Sequence, residues 1–205
     1  GYMNIALFGV DSREGSLDKE AHSDTILIAS INNKTKDVKL VSVYRDTYLD
    51  NTNGEYRKAT ECYYFGGPSR AISMLNKNLD LDITDFVTVD FTAVADVVDA
   101  LGGIDIDVQE DEIVHLNNYQ VEGSQVTGKE IIPVEYAGLQ TLNGLQALSY
   151  CRIRYTTGDD YKRTERQRTV LNKILEKVKT MPVTTLVGIV NDMFDHISTS
   201  LTLTE

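Results

Sequence analysis

Three apolar runs crowd into the first 44 residues, and each is too short and too uniformly apolar to be an amphipathic helix. Asn4-Ile-Ala-Leu-Phe-Gly-Val10 reads as a buried strand ending in the polar turn Asp11-Ser-Arg-Glu-Gly-Ser16. Thr25-Ile-Leu-Ile-Ala-Ser-Ile31 is a second such run, closed by the turn signal Asn32-Asn33-Lys34. Val38-Lys-Leu-Val-Ser-Val-Tyr44 alternates more cleanly, and the short 32–37 connection makes the last two an antiparallel hairpin. A chain that begins this way must build a sheet and then find elements to cover it.

The rest of the sequence supplies them. Residues 51–65 read mainly as loop, and a helix is expected from Gly67-Pro68 through Ile72, Leu75 and Leu79, with Pro in its first turn. Phe86-Val-Thr-Val-Asp-Phe91 is a strand leading into a helix. There Phe91, Val94, Ala95, Val98 and Leu101 share one face before the stop at Gly102-Gly103. Ile104, Ile106 and Val108 alternate with Asp105 and Asp107, a half-buried strand with an acidic outer face. Residues 111–140 are weakly patterned and read as an excursion. A short helical turn over Asn143–Leu148 and a strand over Tyr150–Tyr155 follow. The strongest helix spans Lys162–Lys179, and a last one runs from about Thr184 to Phe194. Strands alternating with helices, without a fixed-period repeat or linker-like stretch, give one α/β domain over residues 1–205: three α/β/α layers with a central mixed sheet.

Composition narrows the function. The net charge of −11 disfavours nucleic-acid binding through the overall field. The charge is unevenly distributed, however. Between Tyr150 and Thr180 nine Lys and Arg stand against four acids, a local +5 inside a remainder of −16. Two cysteines and three scattered His exclude a disulfide framework and a structural zinc site, and free thiols at Cys62 and Cys151 are favoured over a pair. There is no GxxxxGK[ST] or GxGxxG loop, no GxSxG elbow and no HExxH. No apolar stretch approaches the ~20 residues of a membrane span, and no signal-peptide pattern occurs, so the chain reads as one domain of a longer protein.

The cationic segment points to an anion site. On the long helix, Val170, Leu171, Ile174, Leu175 and Val178 form one apolar face. Extended toward the N-terminus, that face takes in Gln167 and Arg163, with Arg166 on its flank. Arginine at a helix start opposes the macrodipole, which makes sense if an anion lies between them. A surface helix with salt-bridged arginines is the plain alternative. Arg152 and Arg154, two apart on the expected strand, would point to one face, and a planar guanidinium binds phosphate oxygens bidentately. Asp11 ends the first strand and Asp24 precedes the second, so both fall at one sheet edge if the strands are neighbours. Two carboxylates with open positions suit Mg²⁺ or Mn²⁺. The hairpin returns Arg45-Asp46 toward Asp24.

Taken in order, Asp11-Ser-Arg13, Ser23-Asp-Thr25, Ser42-Val-Tyr-Arg-Asp46, Phe65-Gly-Gly67, Leu101-Gly-Gly-Ile-Asp-Ile-Asp107, Leu142-Asn-Gly-Leu-Gln-Ala-Leu148, Arg152-Ile-Arg154 and Asp160-Tyr-Lys-Arg-Thr-Glu-Arg-Gln-Arg168 form a recognisable set. The chain resembles the LytR-CpsA-Psr family of bacterial cell-wall enzymes over essentially its whole length. The resemblance implies an α/β/α domain on the outer face of the cell membrane, anchored by a segment outside this chain. It implies transfer of a glycopolymer such as teichoic acid or capsule from a polyprenyl-pyrophosphate carrier to peptidoglycan. Asp11 and Asp24 would hold Mg²⁺, and Arg13, Arg45, Arg152, Arg154, Arg163 and Gln167 would bind pyrophosphate oxygens. Asp46 would orient Arg45 or a ligand, and Asp11 or Asp46 would be the candidate base, so that Asp11, Arg45, Asp46, Arg154 and Arg163 form the catalytic set. Phe91, Val94, Val98, Leu171 and Leu175 are candidates to line an apolar tunnel for the lipid. A non-catalytic polyprenyl-phosphate scaffold or a pyrophosphatase acting on the same donor are the alternative functions. The chain departs from the family pattern at Tyr44, where Pro is common, at Tyr161-Lys162, where Phe-Gly is common, and at Thr60, where Asn is frequent.

Overall fold

The computed structural model describes residues 1–10, 17, 18, 20–154 and 159–202, without the side chains of Phe91, Asp159, Asp160, Val183, Val190 and Phe194. The chain divides into two compact units, Gly1–Asp90 with Asp195–Glu205, and Phe91–Phe194.

The first unit is built on a five-stranded mixed sheet. Its strands are β1 (Tyr2–Val10), β2 (Ser23–Asn32), β3 (Val38–Val43), β6 (Asp85–Asp90) and β9 (Ile197–Thr199), in the order β3-β2-β1-β6-β9. β1 pairs antiparallel with β2 and parallel with β6, and the β2–β3 hairpin is antiparallel as expected. Between them lie the small hairpin β4 (Tyr48–Asp50) and β5 (Tyr56–Lys58), and the helix α1 (Ala59–Leu79). The sheet face that carries Ala6, Phe8, Val10, Ile26 and Ile28 packs with Ala59, Cys62, Tyr63, Ala71, Met74 and Leu75 of α1 into one buried cluster. Phe8 meets Tyr63 edge-on at 5.1 Å. Burying these side chains is the main stabilising term, about 1.5–3 kcal/mol for each large one.

One irregularity in this sheet matters for the site. Gly9 pairs with Thr25 and Val10 with Ser23, so a β-bulge leaves Asp24 opposite no residue of β1. A bulge bends the strand and re-aims the extra side chain.

Residues 51–65 are not mainly loop, as the β4–β5 hairpin and the first turns of α1 show. The expected start at Gly67-Pro68 is instead the start of a second segment. At Gly66 and Gly67 the backbone leaves helical geometry, with Gly67 at φ 64° and ψ −161°. A Cβ on Gly67 would stand 2.3 Å from the Asp18 carbonyl oxygen. Only glycine tolerates both the positive φ and the contact.

The second unit contains α2 (Phe91–Ala100), β7 (Ile104–Val108), α3 (Glu110–Thr127), β8 (Gly138–Leu142), α4 (Gly144–Arg152), α5 (Asp159–Val178) and α6 (Val183–Asp192). A single 3-10 turn, Phe194–His196, straddles the boundary between units. β7 and β8 pair antiparallel as a separate two-stranded sheet, and Ile104, Ile106 and Val108 are buried while Asp105 and Asp107 face out. The region expected to be an excursion holds the 18-residue helix α3. Its buried positions, Glu112, Leu116, Gln120 and Gly123, follow helical spacing, yet only Leu116 is a large apolar residue. Amide side chains do the packing there. Gln120 Nε2 donates to the Ile132 carbonyl at 3.0 Å, and Asn117 exchanges two 2.9 Å bonds with the backbone of Val134.

Gly67→Ala should lower the unfolding free energy by about 2–3 kcal/mol, through strain at positive φ and the clash with the Asp18 carbonyl. Gly128→Ala, at the α3 C-cap with φ 71° and nothing near its added Cβ, should cost only about 1 kcal/mol. Urea denaturation of both variants checks the difference.

Candidate functional site

In the first unit, the bulged end of β2 and the residues after β3 bring an acid and a base together. The Arg45 guanidinium forms an ion pair with the Asp24 carboxylate, and both side chains are largely covered. The Arg45 backbone is fixed from the other side. The first turn of α1 has no side-chain cap at Lys58, and its amides are taken by carbonyls of the preceding turn instead. Thr60 N donates to Arg45 O at 3.0 Å, and Ala59 N to Thr47 O at 2.9 Å. The helix start thus clamps the segment that carries Arg45.

Asp46 is 47% exposed, 4.0 Å from Arg45 Nε and 2.9 Å from Lys58 Nζ. Sequence reasoning did not single out Lys58, whose only signal was its position before α1. Two hydroxyls beside these groups, Ser23 Oγ and Thr60 Oγ1, are buried without a hydrogen-bond partner among the described residues. Asp90, at the end of β6 opposite Val10, is also buried and bonded to His196 Nδ1 at 2.8 Å. Asp11 and Arg13 lie outside the described residues.

In the second unit the expected strand over Tyr150–Tyr155 is not formed among its described residues, 150–154. α4 continues through Arg152, and Ile153 is its buried C-cap. Arg152 and Arg154 therefore do not share a strand face. The continuous buried run Gly144–Tyr150 is a helix packed on several sides, and the short alternation after it carries no strand partner. Arg152 pairs with Glu122 of α3 at 2.9 Å and lies over the Tyr119 ring, while Arg154 is exposed.

The start of α5 is cationic and covered. Arg163 is 5% exposed and Arg166 4%, with Gln167 half-buried. Arg166 donates from Nε to Glu112 at 2.7 Å and from Nη1 to the Ile153 carbonyl at 3.2 Å. This buried ion pair ties the helix bearing Arg163 to the segment bearing Arg154. Glu112 was not anticipated, although its place as the third residue of a capping box begun by Gln109 is visible in the sequence. Of the tunnel candidates, Val98 is buried in the core of the second unit, to which α5 contributes Val170 and Ile174. Val94, Leu171 and Leu175 are half-buried and outside that cluster. The side chain of Phe91 lies outside the described residues.

Neither cysteine is a poised nucleophile. Both are free; burial pushes the Cys62 thiol to about 11 and the Cys151 thiol to about 12, against the opposing pull of Arg70 and Arg166 respectively.

A mixed sheet with a carboxylate–arginine pair at the bulged end of β2, joined in sequence to a helix that opens on buried arginines, defines an α/β protein with cations on firmly held segments. The chain belongs to the LytR_cpsA_psr family, whose model matches residues 1–205. It is 31% identical, over 97% of its length, to the polyisoprenyl-teichoic acid–peptidoglycan teichoic acid transferase TagU of Enterococcus faecalis, of which it covers 61%. It is also 31% identical, over 87% of its length, to the transferase TagT of Bacillus subtilis, covering 53% of that protein. The chain thus spans little more than half the length of these relatives. A structure of TagT bound to LI-WTA superposes with a TM-score of 0.77 at 28% identity, covering 99% of this chain and 70% of that one.

Two outcomes test this description. Glu112→Ala should destabilise the protein by about 3–5 kcal/mol in urea unfolding, because it leaves the Arg166 charge buried without its carboxylate. At pH 8 the Cys62 thiol, fully buried and held protonated, should react with a thiol-specific disulfide reagent only at the rate of global unfolding. Modification of Cys62 within the mixing time would contradict that burial.

Proposed function

We propose that this chain is the catalytic part of a phosphotransferase that moves a glycopolymer from a polyprenyl-pyrophosphate carrier to peptidoglycan. The observation that carries the proposal is the Asp24–Arg45 pair at the sheet edge, within a chain so similar to teichoic acid transferases along nearly its whole length. Arg45 and, by motif, Arg13, Arg154, Arg163 and Gln167 are assigned to pyrophosphate oxygens. Arg152 could join them at little cost, since an exposed pair such as Arg152–Glu122 is worth only about 0–1 kcal/mol.

Mg²⁺ or Mn²⁺ fits the donor set. The bulge leaves Asp24 unopposed in the strand register, and Ser23 beside it pairs with Val10, the residue before Asp11. Asp24 and, by motif, Asp11 would supply hard carboxylate oxygens, as suits a cation that ordinarily takes one or two carboxylates together with substrate phosphates. When bound, the ion would supply charge neutralisation on the pyrophosphate.

The reaction divides among the chain's own groups. A hydroxyl of the acceptor sugar attacks the phosphorus nearer the glycopolymer, the bridging P–O bond breaks, and polyprenyl phosphate leaves with its electron pair. The arginines hold the two phosphates and stabilise the charge that grows on the leaving oxygen. The hydroxyl proton passes to a carboxylate. Asp46, 47% exposed beside Arg45 and Lys58, is the carboxylate assigned to accept it. The domain would work on the outer face of the membrane, anchored by sequence outside this chain; no described helix is long and apolar enough to cross a bilayer.

With purified lipid-linked donor and peptidoglycan fragments, Arg45→Ala and Arg163→Lys should each lower kcat by roughly 10²–10³-fold. Chelation of divalent cations should abolish the product, and Mg²⁺ should restore it. Release of polymer at an equal rate without acceptor would make the protein a pyrophosphatase. Wild-type rates in both variants would defeat the assignment.

A further inference from the structure

Arg152 closes α4, and α3 supplies its seat. Tyr119 and Glu122 stand three residues apart on α3 and so share a face of that helix. The Arg152 guanidinium lies 5.3 Å from the centre of the Tyr119 ring, and its Nη2 donates to Glu122 Oε2 at 2.9 Å. The two contacts engage different parts of one planar cation. A ring holds the flat face, while a carboxylate or a phosphate takes the N–H groups in the plane. Partners in the plane can therefore be exchanged while the stacked face stays where it is.

The surroundings hold everything but that in-plane partner. Ile153, the next residue, is fully buried, and its carbonyl accepts from Arg166 Nη1 at 3.2 Å, which fixes the backbone beside Arg152. Tyr119 packs against the apolar cluster of the second unit. The Arg152 side chain is 22% exposed and that of Glu122 56%, so the carboxylate is the loosely held member of the pair. A pyrophosphate carries more negative charge than a carboxylate, on oxygens that match the guanidinium fork. It displaces Glu122, and the cost of that displacement is subtracted from its own binding.

We propose that Tyr119 and Glu122 set the affinity of this protein for pyrophosphate through Arg152. The ring is a platform that presents the guanidinium, and the carboxylate is a built-in competitor that the phosphate must displace. Both are positioning residues, since they act through Arg152. The assignment of Arg152 to pyrophosphate rests on the transfer reaction proposed above; the seat on α3 does not. The test is a calorimetric titration with farnesyl pyrophosphate and Mg²⁺, beside urea unfolding of each variant. Glu122→Gln should tighten binding about two- to fivefold, as loss of an exposed competing ion pair supports, and should change nothing in an Arg152→Ala background. Tyr119→Leu, which keeps an apolar side chain in the cluster, should weaken binding about fivefold, whereas Tyr119→Phe, which keeps the ring, should stay within about twofold of wild type. The opposite signs separate this role from a structural one, in which both variants would lose affinity and stability together. The proposal is overturned if Glu122→Gln binds as wild type does or more weakly, if it tightens binding equally without Arg152, or if Tyr119→Leu binds as wild type does. Each of those results leaves the transfer reaction standing as long as wild type binds the pyrophosphate. A wild type that does not bind it overturns the transfer reaction and this proposal with it.

Discussion

The ion pair between Asp24 and Arg45 depends on two backbone devices that have nothing to do with charge. A bulge in the β1–β2 ladder takes Asp24 out of strand register, and the first amides of α1 grip the carbonyls of Arg45 and Thr47. The pair itself, partly open to solvent, adds little to stability. The apolar cluster beneath it supplies the stability, with Phe8, Ile26, Tyr63, Met74 and Leu75 almost wholly buried. Charge at the edge is thus held in place by a core that contains none.

The second unit presents the reverse problem, because two cations at the start of α5, Arg163 and Arg166, are themselves covered. A buried guanidinium is costly unless a carboxylate and further acceptors meet it. Arg166 is met by Glu112, by the Ile153 carbonyl and by the Tyr150 ring, which lies 5.8 Å away. Elsewhere on α3, Leu116 packs in the apolar cluster while Asn117 and Gln120 bond to the backbone of Val134 and Ile132. The Glu112–Arg166 bond is directional, so it fixes the orientation of α5 against α3.

Both units of this anionic chain, with its net charge of −11, hold arginines on firmly fixed segments: Arg45 by the first amides of α1, and Arg166 by Glu112 and the Ile153 carbonyl. The free thiols are kept protonated, Cys62 fully buried and Cys151 half-buried.

Much of this was legible in the chain of letters. The strands β1, β2, β3, β6 and β7 and the helices α2 and α5 follow directly from period-2 and period-3.6 apolar patterns, because each buries an aliphatic face. The order of charged motifs also carried the family, and the hairpin carried the approach of Arg45 to Asp24. Where the buried face was polar, the pattern was silent: α3 hides Glu112 and Gln120, and so looked like a loop. Where a helix was buried nearly all round, as α4 is, no stripe distinguished it, and its last residues passed for a strand. Tertiary structure alone decided that a bulge would free Asp24, that helix amides would clamp Arg45, and that Arg152 would turn to Glu122 rather than share a face with Arg154. Each of those outcomes depends on hydrogen bonds between residues far apart in sequence, and local patterns of hydrophobicity hold no record of such partners.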